Sequence, residues 1–249
     1  MKSRVDKVLA TAGFGSRRDI KRVLRMHEFR INGTLCRDPS FHMDPDSDVC
    51  ELDGAPVHIR TRLYLMLNKP QGVVTSTSDP IHRTVLDLLE DPWRSQDLFP
   101  VGRLDYDTEG LLLLTNDGLL AHRLVSPRAG VPKTYVAELE EPVDDELFDL
   151  YCRRFQEGVT FHNGYTCLPA SVEKTPDRHS LALTIHEGKY HQVKKMFRVV
   201  GNRVVRLSRV SMGPLSLDPS LPPGAVRELT CTEIESIRRA AGMISDKQS

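Results

Sequence analysis

Residues 102–114 read GRLDYDTEGLLLL, from Gly102 to Leu114. Arg103, Asp105, Asp107 and Glu109 crowd four charges into seven residues, and four leucines follow Gly110 without a break. Such an apolar run, opened by a glycine and closed by Thr115-Asn116-Asp117, reads as a strand buried on both faces. The charges therefore stand at the mouth of a rigid element. The spacing Asp105-x-Asp107-x-Glu109-Gly110 imitates the first half of a calcium loop, but the twelfth position, where a bidentate Glu belongs, is Asn116. That excludes calcium. A magnesium site for phosphodiester cleavage needs only a few carboxylates and stays open at this point.

On the N-terminal side, residues 1–60 read as a small module. Ser3 and Asp6 have capping-box spacing, Val5, Val8, Leu9 and Ala12 form an apolar stripe, and Gly13 stops the helix. A second helix starts at Ser16, with Asp19 three residues on. Ile20, Val23, Leu24 and His27 fall on one face, and Arg18, Lys21, Arg22 and Arg25 on the other. Phe29–Ile31 and Thr34–Cys36 flank Asn32-Gly33 as a hairpin, and Val49–Leu52 is a further short strand. Residues 1–37 carry ten basic side chains against three acidic ones, in a chain of zero net charge. A basic helix face on a neutral protein marks a polyanion site, here favoured over an ordinary solvated face.

Residues 54–63 read as a linker, and a larger domain begins with the strand Tyr64–Leu67 and the turn Asn68-Lys69-Pro70-Gln71-Gly72. Lys133–Leu139 and Ser180–Ile185 alternate like strands, His191–Val200 has helical spacing, and Val204–Leu207 and Leu215–Leu217 are short strands. Strands and helices mix without a βαβ repeat, so the class is α+β. Residues 189–209 hold seven Lys or Arg and no acid, with Tyr190, His191 and Phe197 interleaved. Lys194 lies beside the apolar Val193 and Met196, so it points partly inward, and a half-buried lysine wants an anion. The acid-rich stretch at 105–109 is the candidate partner.

Several classes are disfavoured. Walker A, GxGxxG and GxSxG motifs are missing. The five cysteines are far apart without CxxC spacing, which fits free thiols in a reducing compartment. The charged N-terminus lacks a signal-peptide core, and no apolar run approaches membrane-spanning length. A cytoplasmic protein without a membrane partner is expected.

Taken together, these motifs resemble one family. Gly102-Arg103-Leu104-Asp105-x-x-Thr108-x-Gly110-Leu111-Leu112 is similar to the signature of pseudouridine synthases. Lys133-Thr134-Tyr135 resembles that family's second motif, and Glu187-Gly188-Lys189-Tyr190-His191-Gln192-Val193-Lys194 the third. The N-terminal module resembles an S4 RNA-binding domain. The resemblance spans roughly residues 3–238. It implies an S4 domain over residues 1–60, a catalytic domain over 61–242 with a mixed, mostly antiparallel sheet and a central cleft, and a flexible tail at 243–249.

It also implies the chemistry. Members isomerise uridine in structured RNA: they break the N1–C1′ bond, turn the base and rejoin it through C5, with no metal and no organic cofactor. By the same resemblance Asp105 is the essential residue, Tyr135 packs on the target base and takes the C5 proton, Lys194 pairs with Asp105, and Arg103 holds the flipped nucleotide. Arg17, Arg18, Lys21, Arg22 and Arg25 would grip RNA phosphates, and Lys189, His191, Lys195 and Arg198 would line the cleft. Tyr64–Gly72, Ser126-Pro127-Arg128 and Tyr190–Phe197 look most like members acting on uridine 516 of 16S ribosomal RNA, as monomers on a small-subunit assembly intermediate. Ser211-Met212-Gly213-Pro214-Leu215 also occurs in members acting on 23S RNA, so that target is an alternative, as is an S4 protein that binds RNA without chemistry.

Overall fold

The computed structural model describes residues 2–45, 47–57, 59 and 62–244. It divides into two compact units, residues 1–63 and 64–249. No helix among the described residues is long and apolar enough to cross a membrane.

In the first unit, β1 (Ser3–Arg4) leads into α1 (Val5–Thr11), and α2 (Arg17–Met26) follows. β2 (Phe29–Ile31), β3 (Thr34–Leu35), β4 (His42–Met43), β5 (Cys50–Leu52) and β6 (Ala55–Val57) complete it. The strands β3-β2-β5-β6 form one antiparallel sheet, and β1 pairs with β4. Val5, Leu9, Ile20, Leu24, Phe29 and Met43 close a core beneath the two helices. The expected turn at Asn32-Gly33 is present, with both residues at positive φ as a tight hairpin requires.

Three local expectations fail here. The N-cap of α1 is Arg4, not Ser3, because Asp6 is buried and receives the Arg4 guanidinium at 2.8 Å instead of turning back on Ser3. His27 leaves the apolar face: α2 stops at Met26, and the exposed His27 ring meets Asp53 at 2.7 Å. Ala55–Val57, read as linker, is the strand β6 paired with β5. By contrast, α2 begins as expected, with Ser16 and Asp19 forming a reciprocal capping box. Arg37 closes its other end, donating from Nη1 to the carbonyls of Leu24, Arg25 and His27 at 2.7–3.0 Å.

The second unit is built on a nine-stranded sheet. Its strands are β7 (Tyr64–Lys69), β8 (Phe99–Pro100), β9 (Thr108–Thr115), β10 (Lys133–Leu139), β11 (Ser171–Lys174), β12 (Ser180–Ile185), β13 (Val204–Met212), β14 (Leu215–Ser216) and β15 (Val226–Glu228). The helices are α3 (Gly118–Val125), α4 (Asp145–Glu157), α5 (Gln192–Val199) and α6 (Cys231–Ala240). The main path runs β11-β12-β10-β13-β9-β7-β15. Of the described strand pairs only β9–β13 is parallel, so the sheet is mixed and mostly antiparallel, and the unit is α+β as expected.

β9 is the run that follows the charged loop. Leu111 to Leu114 are fully buried, and β9 pairs with both β7 and β13. Each leucine removed from water contributes roughly 1.5–3 kcal/mol. Gly110 is required by a close approach: an added Cβ would collide with the backbone N and O of Arg209 on β13. β13 is longer than the expected Val204–Leu207, because pairing with β10 carries it on to Met212. At the C-terminal end, Met243 is tied to the Arg238 carbonyl and packs on the core, whereas 245–249 of the expected tail lie outside the described residues.

Candidate active site

The loop 103–107 is clamped from below. Lys69, at the end of β7, is fully buried. Its ammonium donates to the carbonyls of Pro70 (3.0 Å), Asp105 (3.1 Å) and Thr108 (2.8 Å), with Tyr106 O at 3.5 Å. Burial pushes this ammonium down to about 8, while Asp107, Asp105 and Glu109 pull the other way. Thr75 adds a second clamp, its hydroxyl donating to Leu104 O at 2.8 Å and accepting from Leu104 N at 3.2 Å. A loop fixed through its own backbone leaves its side chains free to face outward.

Each acid on the loop has a different partner. Asp105 faces His191 Nε2 at 3.5 Å and Lys194 Nζ at 3.9 Å. Lys194 makes its closer bond to Asp107, at 2.5 Å, so it sits between two carboxylates. Burial pushes the Asp107 carboxyl up, but the Lys194 hydrogen bond and charge outweigh it and hold the group below its usual range. Glu109 accepts from Arg206 Nε at 2.8 Å. Asp105 and Asp107 thus share Lys194, while Glu109 turns away to Arg206.

Two of these cations, His191 and Lys194, come from one segment held at its base. Glu187 is buried and accepts from the Tyr165 hydroxyl, from Leu168 N (2.9 Å) and from Gln192 Nε2 (2.8 Å). Its charge pushes the Tyr165 phenol up to about 12, through the hydrogen bond first. Gln192 in turn accepts from Lys189 N at 2.9 Å. This bracket sets the start of α5, where His191 takes a left-handed conformation (φ 53°) that turns its ring toward Asp105. Val193, Met196 and Phe197 anchor the helix in the core, leaving Lys194 at its boundary, 19% exposed.

Two adjoining cavities open here. One, of about 80 Å³, is lined by Arg103, Asp105, Thr108, Tyr135, His191 and Val193 among others. The second, of about 270 Å³, shares Arg103, Tyr135, Gly188 and Lys189 with it and reaches Lys133, Arg209 and Met212. Tyr135 is buried and forms wall to both.

Arg103, Asp105, Tyr135, Lys189, His191 and Lys194 are therefore brought together. Lys195 and Arg198 line neither cavity; Lys195 lies over the Phe161 and Tyr190 rings at 5.7 and 4.9 Å, and Arg198 is exposed. Arg17, Arg18, Lys21, Arg22 and Arg25 belong to the other unit, all exposed on α2, and none forms an ion pair with a described residue. Sequence reasoning missed Lys69, hidden in a segment read as a turn, and Arg209, counted only as one of seven basic residues. A lysine directly after an apolar strand was the available signal for the first.

The RNA pseudouridylate synthase model matches residues 63–198, and the S4 domain model matches residues 3–49. The chain belongs to the RNA pseudouridylate synthase family. It is a pseudouridine synthase with an S4 domain at its N-terminal end. It is 48% identical over 235 residues to an uncharacterized RNA pseudouridine synthase of Bacillus subtilis (strain 168), covering 93% of this chain and 96% of that one. It is 42% identical over 237 residues to the ribosomal small subunit pseudouridine synthase A of Escherichia coli (strain K12), covering 94% and 99%. A crystal structure of a pseudouridylate synthase superposes with a TM-score of 0.65 at 36% identity, covering 94% of this chain and 99% of that one. All three relatives are matched over more than nine-tenths of this chain.

Proposed function

We propose that this synthase isomerises uridine to pseudouridine in ribosomal RNA, at uridine 516 of 16S RNA, through the carboxylate of Asp105. The observation that carries the reading is the placement of Asp105: a carboxylate on a backbone-clamped loop, facing two nitrogens, beside a tyrosine ring that walls the cleft. The target assignment leans on the small-subunit synthase among the relatives and on the sequence likeness of Tyr64–Gly72 and Tyr190–Phe197.

The chemistry follows from what the reaction demands. A base inside a helix cannot be turned, so the uridine must leave its stack and enter the cleft. Tyr135 offers a ring face for the flipped base, worth roughly 1–3 kcal/mol in stacking. His191 and Lys194, 3.5 and 3.9 Å from the Asp105 carboxylate, stand beside it as nitrogen partners where the uridine must arrive. With the N1–C1′ bond broken and the C5–C1′ bond formed, C5 must lose a proton and N1 must gain one. The Tyr135 hydroxyl is the group assigned to the C5 proton, and Arg103, at the junction of the two cavities, holds the nucleotide's backbone. The exposed cations of α2 grip phosphates elsewhere on the RNA, which positions the molecule without reading its sequence. The enzyme acts as a monomer on a small-subunit assembly intermediate.

Mapping pseudouridine across ribosomal RNA from cells with and without the gene tests the reading. Loss of the 16S site alone is the expected result. Loss of a 23S site overturns the target and keeps the reaction. The isomerisation is expected to run unchanged in EDTA; inactivation by chelator would favour metal-assisted phosphodiester cleavage instead.

A further inference from the structure

The larger cavity holds a group that the isomerisation scheme above does not use. Arg209, on β13 directly opposite Tyr135, is 2% exposed and lines this cavity. A guanidinium carries five N–H donors. Here Nε donates to Leu111 O at 2.8 Å, while Nη2 is buried with no hydrogen-bond partner among the described residues. Lys133 lines the same cavity and is half-buried, with its ammonium donating to Val131 O at 2.9 Å. Burial, and then the nearby Arg209 charge, push that ammonium down to about 8. Arg103 and Lys189 stand at the rim shared with the Asp105 cavity.

Negative charge does not balance this set. The cavity's one carboxylate, Glu187, is already occupied by Tyr165, Leu168 and Gln192. A buried guanidinium and a half-buried ammonium lining one cavity are costly to leave uncompensated. A neutral base edge could accept a hydrogen bond from Arg209 but would leave both charges standing. A phosphodiester group would answer the charge of both side chains at once, which a neutral base cannot do.

We propose that the cavity is an anion subsite, in which Arg209 and Lys133 hold an RNA phosphate adjoining the uridine that stacks on Tyr135. The assignment rests on the uridine-isomerising reading. It adds a fixed point for the strand in the cavity that shares Tyr135 with the Asp105 cavity.

The test compares binding of uridine, uridine 5′-monophosphate and uridine 3′-monophosphate to the full chain and to Lys133→Gln, by calorimetry. Glutamine can still donate to Val131 O, and unchanged uridine binding reports an intact cleft. One of the two monophosphates is expected to bind wild type at least about ten-fold more tightly than uridine, as a charge-assisted contact should provide. Lys133→Gln is expected to lose most of that advantage. Equal binding of nucleoside and monophosphates by wild type overturns the subsite in favour of a neutral occupant. An advantage kept in Lys133→Gln overturns it in favour of the rim residues Lys189 and Arg103, and no binding of either monophosphate at about 10 mM overturns it outright. None of these outcomes depends on the ribosomal target. Phosphate discrimination in a protein that leaves ribosomal uridines unmodified would sink the functional reading and spare the subsite.

Discussion

The basic face of α2 and the loop 103–109 are both dense in charge, yet the structure treats them in opposite ways. On α2, Arg17, Arg18, Lys21, Arg22 and Arg25 stand exposed and without ion-pair partners among the described residues. On the loop, Asp105, Asp107 and Glu109 each face a cation from a distant part of the chain, and Lys69 fixes the backbone beneath them. Free charges on long side chains can follow an irregular polyanion. Clamped charges can act on one atom, because their position is decided before the substrate arrives.

The contrast can be broken most severely at Asp105. Asp105→Asn keeps the size and removes the charge, and pseudouridine formation is expected to fall by on the order of 10³-fold or more, about 4 kcal/mol. Measurable wild-type turnover in this variant, scored by pseudouridine mapping, would remove Asp105 from the chemistry. Next in size is the clamp. Lys69→Met leaves several loop carbonyls without their donor, so a stability loss of about 1–3 kcal/mol in denaturant unfolding is expected. A loop misplaced by an ångström should also lower turnover by about 10²-fold. If activity survives while stability falls, the clamp holds the fold and not the carboxylate.

The free charges should fail differently. Replacing Arg18, Arg22 and Arg25 together by Ala is expected to weaken RNA binding at all salt concentrations. It should also flatten the log–log salt slope by about 2–3, each lost phosphate contact removing about 0.7–0.9. An unchanged slope in filter binding would mean the face does not touch RNA.

The smallest effect is a clamped charge away from the cleft. Arg227 donates to Glu233 and Asp218, and the Arg227 hydrogen bond above all holds the Glu233 carboxyl down at about 2. A carboxyl depressed on folding contributes stability that is complete above its unfolded value and lost as pH falls. Glu233→Gln should therefore cost about 1–2 kcal/mol at neutral pH. That difference should fade between about pH 4.5 and 2 in thermal unfolding, with no change in turnover.

The same contrast explains what was legible in the sequence. Periodicity displayed the α2 face, the capping box at Ser16 and the strand at Leu111–Leu114, because each depends on residues a few positions apart. Lys194 declared itself by standing among apolar neighbours on a helix. Lys69, Arg209 and the Glu187 bracket did not, because each depends on a contact with a residue 19 to 98 positions away in sequence. Nothing in Asn68-Lys69-Pro70 says that four carbonyls will gather around its amine. The split partnership of Lys194, nearer Asp107 than Asp105, is likewise a matter of loop geometry at the ångström scale.

The position of β9 has a consequence in time. Its first residues pair with β13, and Leu111–Leu114, all fully buried, pair with β7 and at Leu114 with β8, inside the sheet. Protons there can exchange with solvent only when the whole unit opens, so deuterium should enter Leu111–Leu114 at the rate of global unfolding. The loop that carries Asp105 is spliced directly onto that slowest segment.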